Sequence, residues 1–235
     1  MPLRLFRSRN VSGANTVQAL LVVGMFGMFF LGALYLQQIL GYDALQVGLA
    51  FLPSTIVMGA MSLRFAAPLA QRFGMQHTVV ASTLLIGAGL LLFARTPVDG
   101  SYAVDVLPAM VLVGLGAGLG FPGLMTFAMM GVSPQDAGLA SGLVNTSVQV
   151  GGAVGLAVLA TLATERTGEL VAGGAAHAAA LNSGFHLAYL IGAGVLAAAV
   201  IVALATLRVP RAAQAPAAAP KRAQRRTNRP AYSEA

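Results

Sequence analysis

Six apolar runs, each close to twenty residues or longer, constrain this chain more than anything else in it. The central pair is the clearest: Val106–Met130 and Gly138–Ala163, joined by the short polar link Gly131-Val132-Ser133-Pro134-Gln135-Asp136-Ala137. At 1.5 Å rise per residue, about 20 mostly apolar residues cross the hydrocarbon core of a bilayer as a helix. Further runs cover about 16–38, 45–69, 78–94 and 185–207. With 57% hydrophobic and only 9% charged residues, the chain carries too few charges to solvate a globule. The pattern predicts an all-α, polytopic membrane protein. A six-helix transmembrane bundle over 15–207 follows a basic segment, 1–14, and precedes a disordered basic tail, 208–235, rich in Ala, Pro and Arg.

The polar and small residues inside these runs are not scattered. Glycines 114 and 118, 116 and 120, 138 and 142, and 151 and 155 recur four apart, so each pair shares a helix face and admits another backbone closely. Gly87 and Gly89 are further packing points. Ser141, Asn145 and Gln149 have the same spacing and line one stripe of an otherwise apolar helix. A lipid-facing amide is costly, so that stripe should face other helices or a wet cavity; both a helix-bonding role and a transport-pathway role fit it. Pro53 and Pro122 predict bends within their helices, and Pro108 suits a helix start. Asn15 and Gln18 stand at the inner end of the first run, where end-capping and headgroup contact suffice, with Gln18 also a candidate for the pathway. Arg64 is expected to snorkel to the interface, and His77 to sit there.

Three function classes fall away. With no cysteine there is no disulfide framework, thiolate nucleophile or cysteine metal site, and His177 and His186 lack a firm third ligand for zinc. Gly114–Gly120 does not follow the Gly-x-Gly-x-x-Gly dinucleotide spacing, and no Ser-His-Asp set falls on plausible spans. No enzyme, cofactor or metal is therefore read. The net charge of +7 does not mark a nucleic-acid face either, because the basic residues gather at the two ends and in one inner link. Contact of the tail with anionic lipid, at about 1 kcal/mol per basic residue, accounts for them better.

Charge also sets orientation. Six spans put both ends on one side, and Arg4, Arg7, Arg9, Arg72, Arg208, Arg211, Lys221, Arg222, Arg225, Arg226 and Arg229 lie there, against Arg95 and Arg166 opposite. The positive-inside rule places both termini in the cytoplasm. The basic opening is followed by an apolar run too long for a secretory signal core, so it reads as an uncleaved first span. The longest link is expected over Thr164–Gly184, and a short basic one over Ala70–His77.

Three segments together carry a resemblance: Gly41-Tyr-Asp-Ala-Leu-Gln-Val-Gly-Leu-Ala-Phe-Leu-Pro53, Leu107–Pro122 and Gly138–Gly155. They resemble the C-terminal half of major facilitator superfamily drug exporters, in particular the fourteen-span drug:proton antiporters of the actinobacterial type, over about Pro2–Leu207. The resemblance implies a cell-membrane transporter whose substrate path runs between two six-helix bundles, of which this chain supplies one. It implies a hydrophobic or cationic small-molecule substrate, and a partner that is the missing N-terminal half or a second subunit. The family's inner-loop motif is matched in part, with Gln71 where an acid is expected, then Arg72, Phe73 and Gly74. The carboxylates Asp43, Asp99, Asp105, Asp136, Glu165 and Glu169 all fall in links or at span ends, so no proton carrier is evident. The chain is thus expected to be a fragment that does not transport alone, with Asn145, Gln149, Ser141 and Gln18 on the pathway and Gly114, Gly118, Gly151 and Gly155 as packing points. The alternative is a non-transporting membrane protein that assembles through its glycine faces.

Reporter fusions at Asp99 and after Ala235 should give opposite sidedness, with the tail fusion cytoplasmic. A tail reporter on the outer side would overturn the topology.

Overall fold

The computed structural model describes residues 9–130 and 132–208. Among them are six helices long and apolar enough to cross a membrane: α1 (Arg9–Ile39), α2 (Ala44–Phe73), α3 (Met75–Phe93), α4 (Tyr102–Met129), α5 (Ala137–Ala172) and α6 (His177–Thr206). No strand occurs among the described residues. The expected tail beyond Arg208 and the first eight residues lie outside them. Residues 9–14, read as part of a basic leader, already belong to α1.

The links are shorter than hydropathy suggests. Gly41, at φ 72, turns the chain from α1 into α2, and Asp43 caps α2. Its carboxylate accepts from the Gln46 backbone N–H at 2.8 Å, while the Gln46 side chain accepts from the Asp43 N–H at 2.9 Å. The basic link expected over Ala70–His77 shrinks to Gly74, whose φ of 89 makes a corner that a residue with a β-carbon rarely adopts. The long link expected over Thr164–Gly184 is corrected in the same way. Helix α5 runs on to Ala172 and α6 begins at His177, which leaves Gly173–Ala176. An apolar run ends where a helix leaves hydrocarbon, not where the helix ends. Beyond that point Glu165, Arg166 and Glu169 are exposed, and Arg166 pairs with Glu169 at 3.4 Å.

The helices form two layers. α2, α4, α1 and α5 follow one another side by side; α3 backs α4, and α6 backs α1 and α5 and also meets α3. α1 and α4 are the most enclosed helices, and the edge helices α2 and α5 the least. The core between the layers is built of Leu21, Met28, Ile86, Leu90, Met110 and Phe127, with Tyr189 stacked on Phe93 at 5.2 Å. Pro53 and Pro122 lie inside continuous helices, and Pro108 occupies the first turn of the α-helical part of α4.

Glycine determines how closely α4 is held. Residues two apart on a helix lie about 200° apart, so its two glycine pairs serve opposite faces. A β-carbon on Gly114 would lie 2.5 Å from the Ser54 carbonyl oxygen, and one on Gly118 would run into the Met58 carbonyl, both in α2. On the other face, a β-carbon on Gly116 would come within 2.6 Å of the Ser82 carbonyl, and one on Gly120 within 2.6 Å of Ser82 Oγ, both in α3. Gly89 of α3 returns the contact, with the Ala109 carbonyl 2.9 Å from its would-be β-carbon. Gly87 is looser: its nearest neighbour would be Leu196 Cβ at 3.9 Å.

Replacing Gly118 by Leu should separate α2 from α4, because backbone rather than a movable side chain stands in the way. The expected loss is about 1–3 kcal/mol, read as a lower unfolding midpoint in detergent. Gly142→Ala is the control: nothing lies within 4 Å of a β-carbon there, so its stability should hold or rise by up to about 1 kcal/mol.

Candidate functional site

The seam between α1 and α5, near the end of the bundle that holds Arg9, brings several of the sequence-marked polar residues together. Gly151, Gly152 and Gly155 of α5 form the seam itself. A β-carbon on Gly151 would lie 2.9 Å from the Ala19 Cα, one on Gly152 2.5 Å from the Phe26 ring, and one on Gly155 would overlap Val23. Where the backbones come this close, Ser147 Oγ–H donates to Asn15 Oδ1 at 3.0 Å, and Asn15 Nδ2 donates to the Val11 carbonyl at 2.8 Å.

The end-capping and headgroup reading of Asn15 and Gln18 is therefore corrected. The helix starts at Arg9, two turns earlier than the apolar run implies, so both residues fall inside it and are buried in the bundle. Gln18 is only 4% exposed, and its Oε1 is buried with no partner among the described residues. On the α1 surface it lies between the face that meets α5, through Ala19 and Val22, and the face that meets α4, through Leu21 beside Gly120. Left unpaired, a buried amide oxygen costs about 1–3 kcal/mol.

The stripe on α5 behaves differently. Asn145 and Gln149 are exposed, and no hydrogen bond joins either to another described residue. Ser141 is half-buried and turns its hydroxyl onto the Gly138 carbonyl of its own helix at 3.0 Å. Gly138 and Gly142 are open too, with nothing within 4 Å of a β-carbon, so their expected packing role is not met within this bundle. These five residues thus form an uncovered polar and small strip alongside the buried glycine seam. One helix carries both.

Two further clusters were not legible in the sequence as sites. At the C-terminal end of α4, Met125, Thr126, Met129 and Met130 line an open recess of about 440 Å³. At the opposite end of the bundle, His186 and Asn182 of α6 both bond the Thr96 carbonyl at 2.8 Å, and the Tyr35 hydroxyl donates to the Pro97 carbonyl at 2.7 Å. His186 and His177, weighed together for zinc, are split by this geometry. His186 is committed to the α3–α4 link, whereas His177 is exposed at the start of α6. Arg64 and His77 are exposed on either side of the Gly74 corner.

Comparison with known proteins bears on this geometry. The model of the Major Facilitator Superfamily matches residues 2–156. The chain is 35% identical over 197 residues to the puromycin resistance protein pur8 of Streptomyces alboniger, a match covering 81% of this chain and 39% of that protein. It is 37% identical over 163 residues to the cephamycin export protein CmcT of Amycolatopsis lactamdurans, covering 69% of this chain and 33% of that one. The methylenomycin A resistance protein of Streptomyces coelicolor is 32% identical over 159 residues, with 68% and 33% covered. The chain thus spans between about a third and two fifths of the length of these relatives.

Ser147→Ala should lower the unfolding midpoint by the equivalent of about 0.6 kcal/mol, and by no more than about 2, as membrane hydrogen bonds do. Asn145→Ala and Gln149→Ala should leave it unchanged, since neither side chain bonds the bundle. Equal losses at all three positions would contradict this division.

Proposed function

Because the chain belongs to the major facilitator superfamily, a family of membrane transporters rather than enzymes, we propose that it forms one six-helix half of a small-molecule exporter. The half is the C-terminal one of a fourteen-span, proton-coupled drug antiporter in the cell membrane, with both chain ends cytoplasmic. The substrate is a hydrophobic or cationic compound, in keeping with relatives named for resistance to, or export of, antibiotics. The other bundle comes from further sequence or from a second subunit, and without it this bundle does not transport.

One observation carries the reading: α5 leaves the amides of Asn145 and Gln149 uncovered in the first half of a spanning helix, two to three turns from its start. Two such groups facing lipid would each cost several kcal/mol, so the strip calls for water or a second protein surface. A substrate path between two bundles provides both. Gln18, with its unpaired Oε1 between α4 and α5, adds a hydrogen-bond acceptor on the enclosed helix α1. Apolar walls with a few polar anchors suit an amphipathic ligand. Assembly of a non-transporting protein through glycine faces finds less support, since Gly114, Gly118, Gly151 and Gly155 are already used inside the bundle.

In a two-bundle transporter containing this chain, Asn145→Ala, Gln149→Ala and Gln18→Ala should change which drugs are tolerated by cells, at unchanged membrane insertion. The measurement is a resistance profile normalised to protein level. An unaltered profile for all three variants would sink the pathway assignment.

A further inference from the structure

Helix α2 changes character at its π-helical turn, Met61–Phe65. Ahead of that turn's end, Leu45, Leu49, Leu52, Ile56 and Leu63 are exposed. From Leu45 to Arg64 the helix covers about 28 Å, close to the thickness of the hydrocarbon core. Beyond the turn, Ala66–Phe73 is amphipathic: Ala66 is buried and Leu69 half-buried, whereas Gln71 and Arg72 are exposed. Phe65 and Phe73 are exposed as well, and the Arg72 guanidinium lies 5.5 Å from the centre of the Phe73 ring. Such a segment belongs where acyl chains give way to headgroups, since aromatic rings and arginine side chains each present an apolar body and a polar end.

Two positive charges on this surface have no counter-charge. Arg64 and Arg72 are exposed, and the ion pair found among the described residues joins Arg166 to Glu169 instead. Arg9, by contrast, donates to the Ala205 carbonyl at 3.1 Å. No carboxylate occurs between Asp43 and Asp99, so α3 offers none, and that of α4, Asp105, stands at the opposite end of its helix. Eight residues separate the two arginines. That is about 12 Å along the axis and about 80° around an α-helix, less where the π turn widens it. The two therefore share a face, one at the end of the leucine stripe and the other two turns further out.

We propose that this face of α2 binds one anionic phospholipid, with Arg64 and Arg72 on its headgroup phosphate and its acyl chains along the leucine stripe. Charge complementarity and the continuity of the two surfaces select this occupant. A guanidinium at the edge of hydrocarbon is best held by an acceptor that takes two parallel hydrogen bonds at the same depth, and phosphate is one. A free anion would meet the arginines but leave the stripe uncovered. A zwitterionic lipid brings an ammonium as well as a phosphate, and no carboxylate on α2 beyond Asp43, or on α3, stands by to take it. The inference rests on the six-span fold and not on the exporter reading.

The test uses the full chain in mild detergent, equilibrated with equal amounts of phosphatidylglycerol and phosphatidylcholine and read by native mass spectrometry. One phosphatidylglycerol should stay bound in preference to phosphatidylcholine. Arg64→Gln and Arg72→Gln should each weaken its binding about tenfold, and the double variant should lose little more than either, because both arginines hold one lipid. Independent attraction of each charge to an acidic surface gives about fivefold per arginine, multiplied in the double variant, and that product would overturn the site. Arg95→Gln, an exposed arginine just past the other end of α3, should change nothing; equal losses at all three positions would overturn it too. Glycerol 3-phosphate and inorganic phosphate should not displace the lipid, and displacement by either would assign the arginines to a free anion instead. Equal retention of the two lipids by the unsubstituted chain would refute the proposal without any variant.

Discussion

Lipid offers helices no hydrophobic reason to associate, so this bundle depends on how closely its backbones can approach. Dispersion falls off within about an ångström of contact, and only glycine lets one helix lie against the carbonyl oxygens of the next. Helix α4 shows the consequence. Gly114 and Gly118 meet Ser54 and Met58 of α2, while Gly116 and Gly120 meet Ser82 of α3. The α1–α5 seam repeats the device once, through Gly151, Gly152 and Gly155 against Ala19, Phe26 and Val23. With these contacts in place, each edge helix is fastened to an enclosed one, and the layer α2, α4, α1, α5 follows.

Hydrogen bonds between elements have a different distribution. At the end that holds Arg9 and Arg208, Gln76 donates to the Ala203 and Leu204 carbonyls, and Asn10 exchanges bonds with the Arg208 backbone. At the opposite end Tyr35, Asn182 and His186 grip the Thr96–Pro97 carbonyls, and the Tyr102 hydroxyl donates to the Ala50 carbonyl. Between these ends, apart from the Ser147–Asn15 pair, the hydroxyls of Ser82, Thr83 and Thr126 turn back onto their own helices. Stitched ends and a glycine-packed middle make a unit that resists internal shear. The proposed two-bundle transport would require each bundle to move as one body.

The sequence made the helices legible because a hydrocarbon span has a minimum length and a composition that nothing else shares. Six apolar runs gave six helices. It misplaced links, because hydropathy reports where a segment meets water while the backbone stays helical beyond that point. Thr164–Ala172 and the residues before Gly74 were lost in this way. Glycine spacing identified the packing faces at 114, 118, 151 and 155 but equally marked 138 and 142, which are open. Four-residue spacing states that two glycines share a face; whether a neighbour lies on it is a tertiary fact. The same limit governs Asn15 and Gln18. Their place near the start of an apolar run suggested the interface, whereas the extra helical turns before it carry them inside. The clamp at Thr96 was invisible for a different reason: its acceptors are backbone carbonyls, which no residue type announces.

The two edge helices carry the last step of the argument. Both are poorly enclosed, yet what they leave open differs. α2 shows Leu45, Leu49, Leu52, Ile56 and Leu63, spaced to form one stripe, and its open Thr55 hydroxyl is already bonded to the Phe51 carbonyl at 3.1 Å. That surface suits lipid without further provision. α5 also shows Val150, Val154 and Val158, but beside them stand the amides of Asn145 and Gln149, which no described group satisfies. An amide N–H can reach a carbonyl one turn back, as Asn15 does with Val11, but its oxygen finds no free donor inside a helix, so a rotamer change relieves only part of the demand. One side of α5 therefore suits hydrocarbon, and the other is where the proposed pathway would put a boundary between lipid and a polar neighbour. The glycine seam on its buried side fixes α5 against α1, and so would fix where that boundary falls relative to Gln18.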